Sequence, residues 1–347
     1  MRHRCMAALC ALLALGTGAA PNTTPRPAVR GYRRVPELEQ RLQAVVAKSP
    51  DTWGISVRHM ERREAAGIHE DDRFPMASVF KVPILAELYH QVGDKKISLD
   101  ERVTLARPEI YFGSGVLSLL RPGLNPTIHD LATLMICVSD NAAADLLLER
   151  VGRENVTARM RALGLVKTSV EASTREHTLE SFGLRGEEYR DLTPADLMRF
   201  DFNQHEKEIV RNQQLILREC HNCSTPSEMS QLFEKIAAGQ AADAAGTKDM
   251  MGILSKQQFN MRLPLLLPVG IRFAHKTGTM VNPIVVVNDA GVMFLPNGEH
   301  VVVTVFSKGS GINLNETELK RSMNAAEQTI AEVGKIVFDY YTTSDKK

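Results

Sequence analysis

Residues 75–91 read PMASVFKVPILAELYHQ, a largely apolar run that begins with a proline. Such a run forms a stable helix only where all its faces are buried, so we expect a buried helix over 78–91. Ser78 and Lys81 are three residues apart, which places both side chains on one face near the helix N-terminus. Free N–H groups there stabilise developing negative charge, and a desolvated, neutral Lys81 can take the Ser78 proton. The alternative is an ordinary serine and lysine on a surface helix.

Two more short motifs follow along the chain, SDN at 139–141 and KTGT at 276–279. Each is weak alone. The ordered series S-x-x-K, S-D-N and K-T-G, however, is typical of serine acyl-transferases that open β-lactams or cleave D-Ala-D-Ala peptides. On these residues the chain resembles the class A β-lactamase superfamily, and the resemblance extends over residues 35–341.

The SDN motif interrupts a run of helical periodicity over 127–151, which predicts a turn between two helices. The resemblance implies that Ser139 passes a proton toward the leaving nitrogen and that Asn141 binds the amide of the substrate's acyl side chain. We expect Asp140 to point inward and to hold the turn by bonding the backbone. A helix-capping cluster is the alternative, because all three residue types favour caps.

The KTGT motif follows an apolar strand, and we expect the strand to end there. The resemblance implies that Lys276 supplies positive charge for a substrate carboxylate and that the Thr277 and Thr279 hydroxyls bond it. Gly278 lets the backbone approach closely. The backbone N–H groups of Thr279 and Ser78 would form an oxyanion hole. The alternative is a simple turn at the end of a strand.

Class A β-lactamases carry a Glu-x-x-Leu-Asn sequence on the loop that floors the site, and its glutamate activates the deacylating water. The nearest match here is EHTLE at 176–180, where Glu180 replaces the asparagine. Glu176 is therefore the candidate general base. The alternative is a solvated loop glutamate, and in that case hydrolysis of the acyl-enzyme stalls.

Strand-like runs occur near both ends of the chain, with helical patterns between and outside them. The strands are expected at 52–60, 65–69, 99–105, 271–276, 284–294 and 301–307, and the outer helices at 36–48 and 316–341. The fold class is therefore α/β (α+β), with a mainly antiparallel sheet flanked by the N- and C-terminal helices and an inserted all-helical lobe. This arrangement is β-lactamase/transpeptidase-like.

The catalytic domain is expected to span 35–341, with a sheet lobe of 35–75 and 259–341 and a helical lobe of 76–258. The interval between SDN and KTGT is longer than the family uses. Two Thr-Pro helix starts bracket the extra length, which indicates an insertion near 193–225, helical in part, beside or within the floor loop.

Residues 1–20 have a basic start, a short apolar run and small residues, the order of a secretory signal peptide. Residues 21–34 are rich in proline and basic residues and indicate a flexible tether, and 342–347 form a tail. We therefore expect a periplasmic or secreted protein. No other stretch approaches the length that spans a bilayer, so no stable membrane insertion is expected after cleavage.

The amino-acid composition of the chain limits which binding partners we expect. The chain has 347 residues, 44% hydrophobic and 24% charged, and a net charge of +1. This balance gives no reason to expect nucleic-acid binding, and anionic substrates must be held by local charges. The expected partner is a small β-lactam or a D-Ala-D-Ala peptide, bound by a monomer. We expect no metal and no organic cofactor, because the chemistry needs only side chains and water.

Three cysteines remain after residue 20. Cys137 lies in an apolar helical run and is expected to be buried and inert. Cys220 and Cys223 can pair across their short loop, remain free thiols, or form half of a zinc site.

Three functions remain open. The first is a β-lactamase in which Ser78 is acylated and water releases the opened ring. The second is a D,D-peptidase or a slowly deacylating penicillin-binding protein. The third is a non-hydrolytic β-lactam-binding or sensor domain.

Overall fold

The computed structural model describes residues 31–312 and 314–343, so the predictions for the signal peptide and most of the tether lie outside the described residues. The strands are β1 (Arg33–Arg34), β2 (Thr52–His59), β3 (Glu64–Ile68), β4 (Phe74–Pro75), β5 (Cys223–Ser224), β6 (Phe273–Met280), β7 (Val286–Phe294) and β8 (His300–Lys308). The helices are α1 (Pro36–Val46), α2 (Lys81–Gly93), α3 (Ile128–Cys137), α4 (Asn141–Val151), α5 (Arg153–Ala162), α6 (Thr174–Ser181), α7 (Pro194–Leu197), α8 (Glu206–Glu219), α9 (Pro226–Ala237), α10 (Ala244–Leu254) and α11 (Glu316–Thr343).

Six strands form one sheet in the order β1-β3-β2-β8-β7-β6. Neighbouring strands are antiparallel except for β1 and β3. Helices α1 and α11 pack together and cover one face, while α9 lies against β2, β7 and β8 on the other. Because both faces are covered, β7 and β8 are buried along almost their whole length. The structure confirms the predicted α/β class, with a mainly antiparallel sheet between the terminal helices.

The helical layer is built around α2, which is buried on nearly all sides by α3, α4, α5 and α10. This burial explains why its sequence has no polar face. Helices α3 and α4 are separate, and the chain turns between them at Ser139, as the SDN motif predicts. Within the described ranges, no helix is both long and apolar enough to cross a bilayer.

The predicted ends of the folded domain are wrong by a few residues. Tyr32 is buried and its hydroxyl donates a hydrogen bond to Glu234, while Arg33–Arg34 pairs with β3. The last four residues of the supposed tether, 31–34, therefore belong to the fold, because they bury a ring and extend the sheet. Helix α11 runs to Thr343, two residues into the predicted tail, and 344–347 lie outside the described residues.

Two predicted strand assignments also differ. Residues 99–105 form no strand, and their pairing with 124–127 is limited to single bridges at Arg102 and Leu105. Pro126 in the partner segment cannot donate a ladder hydrogen bond, which explains the interruption. Strand β6 does not end at the KTGT motif but continues through it to Met280, paired with β7 throughout. The helical lobe is not all-helical, because β5 pairs with β4.

The segment near 193–225 contains the short helix α7 and the longer α8, so it is helical in part. Helix α8 packs against α6, and a small cluster of apolar side chains, including Phe112, Leu179 and Tyr189, fills the space around them. This segment therefore lies directly behind α6, which is the element that faces the candidate site.

Candidate active site

Ser78 lies in a single 3₁₀ turn, Ala77–Phe80, that leads directly into α2. Ala77 has φ 45°, a left-handed conformation that is strained for alanine. Strained backbone persists where the surrounding structure holds it, often at functional sites. Ser78 itself is half-buried and lines a cavity of about 400 Å³.

Side chains from all three motifs meet at this cavity. Its lining includes Ser78, Ser139, Asn141, Thr277 and Thr279. The two motif lysines, Lys81 and Lys276, are fully buried and hydrogen-bond to the residues that line it. Three segments that are distant in sequence thus surround one half-exposed hydroxyl.

Lys81 is held by the SDN turn. Its amine donates hydrogen bonds to Ser139 O at 2.6 Å, Ser139 Oγ at 3.1 Å and Asn141 Oδ1 at 2.6 Å. Burial lowers the pKa of Lys81 to about 7, although the nearby carboxylates of Asp145 and Asp140 oppose the shift. A large fraction of this amine is therefore neutral near neutral pH, as a general base requires.

The carboxylate of Asp140 holds the SDN turn in place. One carboxylate oxygen caps α4 by accepting from Ala143 N at 3.0 Å, and the other accepts from Val116 N and Leu117 N at 2.6 and 2.9 Å. The inward orientation expected for Asp140 is confirmed. Ser139 has φ 55°, and this conformation turns the residue between α3 and α4 toward both lysines.

Asn141 is nearly buried at the start of α4. Its oxygen accepts the Lys81 hydrogen bond, and its Nδ2 donates to Phe112 O at 2.8 Å. One N–H of the amide group remains for a ligand in the cavity, because an amide nitrogen has two donors. The arrangement fixes which end of the amide faces the lysine.

Lys276 approaches Ser139 from the opposite side. Its amine donates to Ser139 Oγ at 3.1 Å and to Thr277 O at 2.7 Å. Burial, reinforced by the positive charges of Lys81 and Arg262, holds the pKa of Lys276 well below its usual range. The close approach expected at Gly278 is present: a Cβ built there would lie 2.5 Å from Met76 O and 3.1 Å from Ser78 N.

Arg262 is a cavity residue that sequence reasoning missed. It is buried, and its guanidinium donates to Thr279 Oγ1 at 2.6 Å and to Gly278 O at 2.8 Å, while Glu327 pairs with it at 3.2 Å. A second positive group is thus placed beside the KTGT motif. No periodicity or motif in the local sequence marks this arginine, because only the folded chain brings it to β6.

Helix α6 forms the opposite wall, and the structure does not bring Glu176 to the cavity. Its carboxylate accepts from Ser173 N at 2.7 Å as part of a capping box and pairs with Arg153 at 2.5 Å. Glu180, on the same face, binds His221. The face toward Ser78 carries other side chains: Thr174, His177, Thr178, Ser181 and Phe182.

Asp145 anchors that wall to the SDN helix. Its carboxylate oxygens accept from Thr174 N at 2.6 Å and Arg175 N at 3.1 Å, at the first turn of α6. Burial raises the pKa of Asp145 to about 6, against the effect of these hydrogen bonds and of Lys81. The sequence does indicate that Asp145 lies near the site, because it follows Asn141 by one helical turn and shares its face.

The loop 220–223 ties the same wall to the nucleophile segment. Cys220 and Cys223 form a disulfide, which excludes their sulfurs as zinc ligands in this state. Asn222 between them accepts from Met76 N at 3.0 Å through its carbonyl and from Ala172 N at 3.0 Å through its side chain. Cys137 is buried, as predicted. No cluster of three or more metal-ligating side chains occurs within 31–312 and 314–343.

Comparison with known proteins agrees with this geometry. The sequence matches the model of the beta-lactamase enzyme family over residues 37–341. The extended-spectrum β-lactamase PER-1 of Pseudomonas aeruginosa is 24% identical over 313 residues, covering 88% of this chain and 87% of that protein.

Solved structures give the same result for the fold. A β-lactamase from Sphaerobacter thermophilus is 26% identical, with a TM-score of 0.67 over 87% of this chain and 96% of that one. PBP-A is 23% identical, with a TM-score of 0.70 over 90% of this chain and 98% of that one, and a variant of it has been solved as an acyl-enzyme with penicillin G. With the family model matched over most of its length, the chain belongs to the β-lactamase enzyme family.

Proposed function

We propose that this protein hydrolyses β-lactams through an acyl-enzyme on Ser78. The observation that carries the proposal is the cluster in which Lys81 and Lys276 both bond Ser139 Oγ beside the half-exposed Ser78. This cluster has a nucleophile, a base with a pKa near 7 and a hydroxyl that can relay a proton. Relatives such as PER-1 support the substrate class.

In the proposed acylation step, neutral Lys81 takes the Ser78 proton while Ser78 Oγ attacks the lactam carbonyl. The developing oxyanion is held by the backbone N–H groups of Ser78 and Thr279, whose segments are in close contact at Gly278. The C–N bond then breaks, and Ser139 gives its hydroxyl proton to the leaving nitrogen. Lys81, now protonated, replaces the proton that Ser139 has lost.

The carboxylate of the substrate is expected at the KTGT side of the cavity. Thr277 and Thr279 present hydroxyls there, and Arg262 adds a guanidinium that the sequence motif does not include. The buried amine of Lys276 has a strongly lowered pKa. A bound substrate carboxylate therefore favours the protonated form of this lysine. Asn141 is proposed to bind the acyl side-chain amide with its remaining N–H.

A second candidate is a D,D-peptidase or a slowly deacylating penicillin-binding protein. A non-hydrolytic binding domain is the limiting case, in which the acyl group is never released. One observation favours it. Both carboxylates of α6, Glu176 and Glu180, are engaged away from the cavity, so the expected glutamate base is not beside Ser78. PBP-A, which shares the fold, has a variant solved as a penicillin G acyl-enzyme.

We also propose that the protein is exported and acts as a monomer. The basic and apolar pattern of 1–20 supports export, and the Cys220–Cys223 disulfide fits an oxidising compartment. The test is fractionation of cells that express the full chain, followed by light scattering of the released protein.

One assay separates the functions. Purified protein is mixed with a chromogenic cephalosporin, and both colour and intact protein mass are followed. Sustained turnover supports the hydrolase, and a burst with a lasting mass adduct supports the penicillin-binding alternative. Release of D-alanine from a D-Ala-D-Ala peptide supports the peptidase. Ser78→Ala should abolish every signal, and a variant that reacts as well as the parent removes Ser78 as the nucleophile.

A further inference from the structure

Helix α6 has two chemically different faces. The face away from Ser78 carries the two carboxylates, which are occupied by Arg153 and His221. The face toward the cavity has residues at helical spacing of three and four: Thr174, His177, Thr178 and Ser181. Among these four side chains only His177 can take a proton near neutral pH.

The nitrogens of His177 are unusual for a buried histidine. Neither Nδ1 nor Nε2 has a hydrogen-bond partner in the protein, and both are closed off from bulk solvent, although the ring contributes to the cavity wall. Buried polar atoms of this kind normally find a partner. Burial also lowers the pKa of His177, so the neutral ring, with a free lone pair, is the dominant form at neutral pH.

The structure points to His177 as the base that activates the hydrolytic water in deacylation, which rests on the proposed β-lactam hydrolysis. The water oxygen bonds to the acyl carbon of the Ser78 ester while one water proton passes to an imidazole nitrogen. The tetrahedral adduct then collapses, the bond between the acyl carbon and Ser78 Oγ breaks, and the imidazolium returns that proton to Ser78 Oγ. The products are the ring-opened acid and free Ser78, with no other reactant.

Other cavity groups fit this role less well. Glu327, across the cavity, is paired with Arg262. Lys81 is bound by the SDN turn and is assigned to acylation. Catalytic hydrogen bonds are often incomplete before substrate binds. The proposal requires a ring nitrogen of His177 to turn toward the cavity when the acyl group is present.

Several charged groups act on His177 and must be controlled. Glu180 on α6 raises its pKa, while His221 from the 220–223 loop lowers it. Asp145 from α4 caps α6 and has a pKa of about 6, so its protonation also affects this wall. The Arg262–Glu327 pair faces the ring from across the cavity.

The test measures acylation and deacylation separately in the full-length protein. Each enzyme is acylated with a small excess of a penicillin, the excess is removed, and loss of the mass adduct is followed. His177→Gln should deacylate at least about 100-fold more slowly, with acylation changed by less than about threefold. His90→Gln, the same substitution on α2 outside this cavity, is the matched control and should behave as the parent.

The pH profile distinguishes a base from a structural role. Deacylation by the parent should slow at acid pH, because the imidazole becomes protonated. Burial lowers the pKa of His177, so the midpoint should lie below the ordinary histidine value of about 6.5. The His177→Gln variant should lose this acid limb, whereas Asp145→Asn should retain it. If His177→Gln does not fold, the profiles of the parent and of Asp145→Asn decide, and loss of the acid limb in Asp145→Asn overturns the assignment.

The failures are distinguishable. A parent that forms no adduct with any β-lactam refutes the proposed function. A parent that is acylated and never released also refutes the proposed hydrolysis. A His177→Gln variant that deacylates at the parental rate refutes only the role of His177. Glu176→Gln tests the rival base, and a selective loss of deacylation in that variant overturns the inference.

Discussion

The amines of Lys81 and Lys276 donate hydrogen bonds of equal length, 3.1 Å, to one atom, the hydroxyl oxygen of Ser139. A hydroxyl oxygen has two acceptor positions and one donor. When Lys81 is protonated, as it is after it takes the Ser78 proton, both lone pairs are occupied by amines. The Ser139 hydrogen is then left to point elsewhere, and the cavity is the open direction. The two lysines thus orient Ser139 as a proton donor to a bound ligand.

Removal of this hydroxyl should slow acylation. We expect Ser139→Ala to lower the acylation rate by about 100-fold, the usual contribution of a positioned acid. The loss should be greater for a penicillin, whose leaving nitrogen needs a proton, than for a cephalosporin, whose ring can delocalise the electron pair. Stopped-flow measurement with both substrates provides the check. Equal rates in variant and parent would show that protons reach the nitrogen by another route.

Acylation should depend on pH through Lys81. The lowered pKa of about 7 means that the neutral, basic amine predominates above pH 7 and the ammonium below it. The value of kcat/KM should therefore fall about tenfold per pH unit below 7 and be level just above it, since this ratio reports the free enzyme. Lys81→Arg is the comparison, because a guanidinium stays protonated and should not support acylation. A level profile down to pH 5 in the parent would contradict the assignment.

Much of this arrangement is predictable from sequence, and the exceptions have physical causes. Ser78 with Lys81, and the SDN turn, follow from local rules of helix spacing and capping. The continuation of β6 through Gly278 does not, because a ladder with β7 overrides the weak strand preference of glycine.

The cavity wall formed by α6 is a second feature that the sequence alone does not predict. In the sequence, Glu176 and His177 are neighbours, and the glutamate has the better chemical precedent. On a helix, adjacent residues point about 100° apart, so only the docking of α6 decides which of them faces Ser78. Asp145 and the 220–223 loop set that docking, and both contacts are long-range. Arg262 is similar, because its role depends on a contact with β6 that no local pattern reveals.

The packing of Gly278 against the nucleophile turn predicts that it tolerates no side chain. A Cβ there would meet Met76 O at 2.5 Å, a backbone atom that cannot move without displacing Ser78. We expect Gly278→Ala to reduce acylation more than tenfold and to lower the free energy of unfolding by about 1–3 kcal/mol. Gly252→Ala is the control, since its Cβ would meet nothing within 4 Å and it lies on an exposed side of α10. Gly278→Ala with parental kinetics would show that the two segments are not packed as described.

Arg262 should select for a carboxylate on the substrate. The guanidinium donors of Arg262 are all bonded within the protein, so Arg262 acts on the carboxylate through its charge and through the Thr279 hydroxyl that it holds. Loss of that support in Arg262→Ala should lower kcat/KM about tenfold for a substrate with a free carboxylate. The same variant should lose little against the methyl ester of that substrate. Because Arg262 also bonds Gly278 O and Asn288 O, its loss will slow both substrates somewhat, and the ratio is the informative quantity. An unchanged ratio would assign the arginine a structural role alone.

The disulfide between Cys220 and Cys223 should support both stability and acylation. Its short loop gives an expected contribution of about 2 kcal/mol to the free energy of unfolding. The loop also carries Asn222, whose carbonyl binds Met76 N two residues before Ser78, so its loosening should reach the nucleophile. We expect the double variant Cys220→Ser with Cys223→Ser to melt at lower temperature and to be acylated more slowly. A reductant should reproduce both effects in the parent and leave the double variant unchanged. If the reduced parent keeps its acylation rate while its melting temperature falls, the loop stabilises the fold without positioning Ser78.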